Sequence, residues 1–460
     1  MMLLAGAVAL AVALCALRSP VFATMVVLVT ISLRLALNSE IQTPVEIWWF
    51  AFALLIASTV LWMDRNSLRL QGIGPVEWAM AGYLLWNFYS MQAPHEYPAV
   101  DLVGGEPLPV ARFIVIGTLL PFVFYLVGRY TFDRPAAVLA LLWFLLAFAA
   151  YSAAVSIMPF VGLSDLVWPR YIVENDQTGW AGRALGVFVQ PVVNGMVLTI
   201  GFAIAMWLLS RRSEPAWRRY LAFAVAAACG WGIYLTHTRA AWLSALVVLI
   251  IGGLLAKGFR TGFIAVLSLV AIVVVANWSV FTSADRDAGG VASVSEVDDR
   301  LNNLQTALWA FAREPLEGWG IARFQAVNFY HHQQWSMDIP WARGLGEVSH
   351  ENELGILTEL GLIGFAGWIM VLALIGYRLR KAYQTLPDDD LCGKPLAVIA
   401  IMAFAILICT GFTVDLRFFD FPTAVIFLLA GITSGWLERT RESDLSAAAD
   451  APQRLLQRHG

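Results

Sequence analysis

Apolar residues run in long uninterrupted blocks along this 460-residue chain, separated by short polar stretches and one long one. Blocks of roughly 17–25 apolar residues are long enough to cross a hydrocarbon core as helices. They lie near residues 1–17, 20–37, 45–63, 75–91, 110–128, 135–158, 183–209, 219–236, 240–256, 261–280, 351–377, 395–413 and 417–437. The pattern predicts an all-α polytopic membrane protein with about 12–13 transmembrane helices. Arg18 and Pro20 divide the first blocks, so residues 1–37 read as a hairpin of spans; a cleaved signal peptide over Ala-rich 4–16 is the alternative. Four regions follow: residues 1–280 with about ten helices, a large loop at 281–350, 351–437 with about three more helices, and an Ala-, Asp- and Arg-rich tail, 438–460, expected to be disordered.

The large loop changes character part-way. Residues 285–300, DRDAGGVASVSEVDDR, hold too little apolar surface to order themselves and are expected to be mobile. From Arg300 onward Leu301, Leu304, Leu308 and Phe311 recur at helical spacing, which predicts an amphipathic helix ended by Pro315 and Gly318. No internal repeat is visible.

Charge then orients the spans. Arg65 with Arg69, Arg129 with Arg134, the group Arg211, Arg212, Arg218 and Arg219, Lys257 with Arg260, and Arg378, Arg380, Lys381 and Lys394 mark alternate loops. By the positive-inside bias these face the cytoplasm. Residues 92–109, 159–182, 281–350, 414–416 and Thr236 through Arg239 then face outward, including Asp165, Arg170, Glu174, Asp176, Trp168 and Trp180 of the second outer segment.

Composition agrees: 59% hydrophobic and 14% charged residues exclude an ordinary soluble chain, and nineteen Trp fit extensive membrane–water interfaces. A net charge of −3 without a basic tract gives no sign of a nucleic-acid partner. Cys15, Cys229, Cys392 and Cys409 all lie outside the large loop, so no structural disulfide is expected there.

Candidate chemistry gathers on the outer side. Arg239, in THTRAAWL (236–243), brings a planar fork of donors suited to phosphate oxygens. By position it could as well snorkel to headgroups or pair with an acid such as Glu351. Arg300 opens the predicted loop helix beside Asp298 and Asp299, where a solvated ion pair is the plain reading. Arg183 stands at another outer boundary, in GRALGVFVQPVVNG (182–195), whose Gly186, Pro191 and Gly195 imply an irregular helix start. His350, at the water–hydrocarbon boundary, can take a proton from an attacking hydroxyl or serve with Ser349 as a cap. Glu353 and Glu359 follow at helical spacing and could orient its ring; Glu353 also suits the helix dipole. His237 neighbours Arg239, with a structural hydrogen bond as its plain reading. His331-His332 lacks further ligands for a metal. Asp285-Arg286-Asp287 mimics an Asp-x-Asp metal signature, but no nucleotide-binding pattern surrounds it.

Four of these stretches, in order, resemble the O-antigen ligase and polymerase superfamily of bacterial membrane glycosyltransferases: RALGVFVQPVVNG (183–195), THTRAAWL (236–243), RLNNLQTALWAFAREPLEGWG (300–320) and SHENELGILTELGLIG (349–364). Glu351 departs from the Asn that frequently follows the family's His; here Asn352 comes one position later. The resemblance covers roughly residues 180–380. It implies a multi-helix fold like that of the type C glycosyltransferases, in the bacterial inner membrane, with a site open to the periplasm. It also implies transfer of a glycan from undecaprenyl pyrophosphate to an acceptor hydroxyl or amide, without metal or cofactor and with inversion. His350 matches the family's essential histidine, and Arg239 and Arg300 match the arginines that hold pyrophosphate; Arg183 is carried over less directly.

The acceptor implied is lipid A–core, a protein or the growing glycan, with membrane lipids around. A ligase and a repeat-unit polymerase fit equally. A transporter of lipid-linked glycans would place charges at mid-span, where this chain shows almost none. A scaffold gives no reason for one His and three Arg on one side.

Overall fold

The computed structural model describes residues 2–39, 46–65, 72–101, 105–174, 180, 182–285, 289–291, 295–388 and 391–457. Arg69, Asp176, Arg286 and Asp287, named above, lie outside the described residues. The chain is almost wholly helical, and its only strands are the two-residue pair Val100–Asp101 and Glu106–Pro107, among the described residues.

Each of the thirteen expected spans coincides with a helix. Seven are long and apolar enough to cross a membrane on their own: Ile47–Arg65, Val110–Thr131, Pro135–Val161, Pro191–Ser210, Asn352–Thr385, Lys394–Gly411 and Asp420–Glu442. Ala7–Arg18, Pro20–Ser32, Arg239–Leu255 and Arg260–Ala276 are apolar but shorter. Pro75–Gln92 and Ala216–Leu235 complete the set. The protein is therefore a multi-pass, all-α membrane protein. Several helices open on proline, whose fixed φ suits the first turn and whose missing N–H is not needed there; Pro20, Pro75, Pro135 and Pro191 all sit at this position.

The core is tightest where Val110–Thr131 lies against the last helix. Gly431 sits over the Tyr125 carbonyl and Gly128 over the Leu428 carbonyl, so the two backbones touch where any Cβ would collide. Such small-residue contacts replace the hydrophobic driving force that lipid cannot supply.

Ion pairs tie the Arg-rich helix ends together. Arg129 reaches Glu77 and, at 2.8 Å, Glu438, which also takes Arg378; Lys394 meets Asp388 at 2.6 Å. At the opposite end the connections are longer: residues 93–109, 158–190, 277–351 and 412–419, with the tight turn 236–238 beside them.

Four expectations need correction. The loop helix runs Ser295–Arg313, so Arg300 stands in its second turn; Glu296 and Asp298 in the first turn suit the helix dipole. Its leucine stripe is not its buried face. Asn302, Asn303, Thr306, Ala307 and Ala310 are buried, while Leu308 is 45% exposed. Asn302 donates to the Arg343 carbonyl and accepts from Trp335 N–H, and Thr306 accepts from Gln333 N–H. The polar face wins because it satisfies the backbone of the loop folded over it. The span expected at 183–209 begins only at Pro191: residues 186–188 form a 3₁₀ turn, Val189 has φ 52°, and the Gln190 side chain accepts from Val192 N–H. The last helix continues to Gln457 instead of ending near 438, which accords with the helix propensity of its Ala-rich sequence.

Candidate active site

The site is built over a broken helix. Inside Asn352–Thr385, Gly361 adopts φ 62°, which interrupts the helical hydrogen bonding within a membrane span. Freed backbone groups in hydrocarbon cost several kcal/mol each unless paired. The segment 315–320 of the large loop pairs them. Trp319 N–H donates to the Thr358 carbonyl at 3.0 Å and Gly320 N–H to Glu359 at 2.8 Å; Leu362 N–H donates back to Pro315 at 2.9 Å. Trp86 Nε1 donates to the Leu360 carbonyl at 3.0 Å. A Cβ at Gly361 would collide with the Leu316 carbonyl oxygen, and one at Gly318 with Gly361 itself. The Pro-x-x-Gly-x-Gly and Glu-x-Gly stretches are thus two halves of one backbone joint.

Beside the joint lies a buried charge cluster. Arg417 donates to Glu359 Oε2 and to Asp415 Oδ2, both at 2.6 Å, and all three side chains are at most 5% exposed. The other Glu359 oxygen accepts Phe324 N–H at 2.9 Å, which fixes the start of helix Phe324–Tyr330. Glu359, singled out from sequence as a possible partner of the His350 ring, instead holds Arg417 from two turns inside its helix.

Beside the cluster lies a small, half-open cleft lined by Arg300, Asn303, Leu304, Phe324, Ser349, His350, Glu351 and Leu354. Two of the residues singled out from sequence, Arg300 and His350, therefore share one cavity. His350 Nε2 lies 2.7 Å from Glu347 Oε2, and this hydrogen bond holds the Glu347 carboxyl below the ordinary range. Burial pushes the Glu351 carboxyl up, against the pull of the nearby Arg300 charge. Burial likewise raises the Asp299 carboxyl, which accepts from Arg343 at 2.9 Å.

Arg183 and Arg239 come together on one carboxylate of the same loop helix. Glu296 Oε2 is 3.4 Å from Arg239 Nη2, and its Oε1 is 3.5 Å from Arg183 Nη2. Glu296 precedes Arg300 by one turn, four residues, so the pair stands next to the cleft on the loop-helix side. Local structure explains the meeting. Helix Ala216–Leu235 ends in a turn with His237 at φ 44°, and Arg239 begins the next helix. Ala184 N–H donates to the Leu235 carbonyl at 2.8 Å, pinning the Arg183 loop to that turn. Arg183 also lies over the Trp180 ring at 4.7 Å.

The remaining candidates stand apart. His237 is buried, edge-on to Phe160 and Tyr234. Glu353 accepts from Asn352 at 3.3 Å and faces Gly411; the carboxylate on the His350 ring is Glu347. His331 stacks on Trp309 and meets Tyr97 Oη at 2.7 Å, while His332 bonds Asn328 at 2.7 Å, so this adjacent pair has two separate environments. Glu347, Glu296 and Arg417 were not singled out from sequence. Only Glu347, three residues before His350, left a local signal.

Residues 223–369 match the family model described as O-antigen ligase. Over that third of the chain it is similar to the O-antigen ligases, the same superfamily that the four sequence stretches resemble. The matched stretch contains Arg239, Glu296, Arg300, Glu347, His350 and the Gly361 joint; Arg183 and Arg417 lie outside it. No curated protein matches the chain. The match supports a glycosyltransferase-type enzyme acting on lipid-linked glycans and their acceptors in general.

Proposed function

We propose that the protein moves a glycan from undecaprenyl pyrophosphate to an acceptor hydroxyl on the periplasmic side of the bacterial inner membrane, as an O-antigen ligase does. The observation that carries this reading is the sharing of one cleft by Arg300 and His350, with Arg183 and Arg239 both meeting Glu296, which lies one helical turn before Arg300.

In this reading the three arginines take the donor's diphosphate. Pyrophosphate is already a capable leaving group, so the main demand is to stabilise the charge it gains as the anomeric C–O bond breaks. Preorganised donors in a water-poor site each contribute about two to three orders of magnitude. Glu347 holds the His350 ring through Nε2, leaving Nδ1 to accept the proton of the acceptor hydroxyl as its oxygen attacks the anomeric carbon. General-base help of this kind is worth about 10²- to 10⁴-fold. A single displacement inverts the anomeric centre, and the lipid diphosphate departs. No step needs a metal.

Reconstitution with a lipid-pyrophosphate glycan tests the reading. Transfer to lipid A–core or to a protein supports a ligase; chain growth on the carrier makes the protein a polymerase of the same superfamily. Failure of both, with transbilayer movement of the donor, would leave a transporter.

A further inference from the structure

Glu296 differs from the acids that pair with arginine around the cleft; the other loose bridge, Glu214 between Arg211 at 3.7 Å and Arg218 at 3.1 Å, lies within the Arg211–Arg219 connection. Arg417 meets its two carboxylates at 2.6 Å, and Arg343 meets Asp299 at 2.9 Å. These are ordinary lengths for charge-assisted bonds, about 2.7–2.9 Å. The Glu296 contacts are 3.4 and 3.5 Å, and its side chain is 34% exposed. One carboxylate thus spans two guanidiniums loosely, at the edge of the cleft. Each of its oxygens faces one arginine, as two oxygens of a phosphate would. The arginines themselves are held in place by other means: Arg183 by the Trp180 ring and the Ala184–Leu235 bond, Arg239 by its position at a helix start after a tight turn.

We propose that Glu296 is the built-in counter-ion of the diphosphate seat, occupying the place of the donor's diphosphate and giving it up when the donor binds. The inference rests on the proposed donor site and adds the residue that tunes its affinity. A carboxylate left among the arginines has two consequences. It keeps two neighbouring cations from repelling each other in the empty site. It also makes every incoming anion compete, which lets the lipid diphosphate product leave after transfer.

Binding of undecaprenyl pyrophosphate to the purified full-length protein in detergent provides the test, with the thermal midpoint recorded for each variant. Glu296→Gln keeps the shape and removes the charge, and is expected to bind the diphosphate lipid about three- to tenfold more tightly, as loss of two weak, partly exposed ion pairs implies. Glu296→Asp keeps the charge and is expected to stay near wild type in both affinity and midpoint. The gain in Glu296→Gln should vanish when Arg239→Ala is added. Unchanged or weaker binding in Glu296→Gln, while Arg239→Ala alone still weakens binding, overturns the counter-ion role and leaves the donor site standing. If neither wild type nor any variant binds the lipid, the donor-site reading falls and this inference falls with it. Should Glu296→Gln fail to fold, Glu296→Asp binding as tightly as the Gln form is expected to would equally count against the proposal.

Discussion

Two arginine sites lie within one region of this molecule and are built to opposite standards. Arg417 is fully enclosed, with Asp415 and Glu359 both at 2.6 Å. Arg183 and Arg239 share one carboxylate at 3.4–3.5 Å, and Arg239 is 34% exposed. A buried guanidinium whose charge two close acids already match is closed to a ligand from solvent, and its removal would strand charge in an apolar core. A loosely countered one at a cleft edge can exchange its partner. Burial and contact length, rather than residue type, therefore separate the arginine that holds the fold from those proposed to hold substrate.

Substitutions can break that distinction. His350→Ala is expected to lower transfer by about 10²- to 10⁴-fold with an unchanged melting temperature, and Arg239→Ala or Arg300→Ala by about 10²- to 10³-fold. Wild-type rates in reconstituted vesicles would remove these residues from the mechanism. Arg417→Met should behave in the reverse sense, costing about 3–5 kcal/mol of stability by leaving Glu359 and Asp415 without their partner. Poor folding yield or a large fall in the detergent melting temperature is the readout; a stable but inactive variant would mean that Arg417 belongs with the substrate groups.

Gly361→Ala is a milder test of the joint beneath the cleft. A positive φ and a colliding carbonyl give an expected cost of about 1–3 kcal/mol, visible as a lower melting temperature and faster proteolysis within 315–320.

The smallest expected effects concern pH. In the fold, the Glu347 carboxyl is depressed by its bond to His350. Its contribution to stability is present above the unfolded carboxylate value of about 4.3 and is lost as pH falls through the lower folded value. Thermal scans should show wild type and Glu347→Gln converging in that acid window and separating above it; parallel curves would deny the coupling.

Much of the architecture was legible in the chain because membrane spans need only length and apolarity, which are local properties. The thirteen apolar runs each became a helix, and the irregular start around Gly186, Pro191 and Gly195 was announced by those residues. The loop helix was legible in existence but not in orientation. Its leucine stripe looked like the buried face, yet Asn302 and Thr306 took that place because the loop folded over them needed backbone partners. Glu296 and Arg417 were silent, and Glu347 left only its nearness to His350, for a related reason. An acid or a base in isolation says nothing about which opposite charge the fold brings within 4 Å.

By itself, then, the sequence determined the all-helical, multi-pass class, the alternation of its basic loops and the four stretches that resemble the O-antigen ligase and polymerase superfamily, because periodicity, charge bias and motif order are carried by neighbours along the chain. The tertiary structure alone decided that Arg300 and His350 share a cleft, that Glu296 joins Arg183 to Arg239, and that segment 315–320 closes the break at Gly361. Those are contacts between residues tens to hundreds of positions apart, and only the packing of helices in a low-dielectric medium, where each unpaired polar group is costly, selects them.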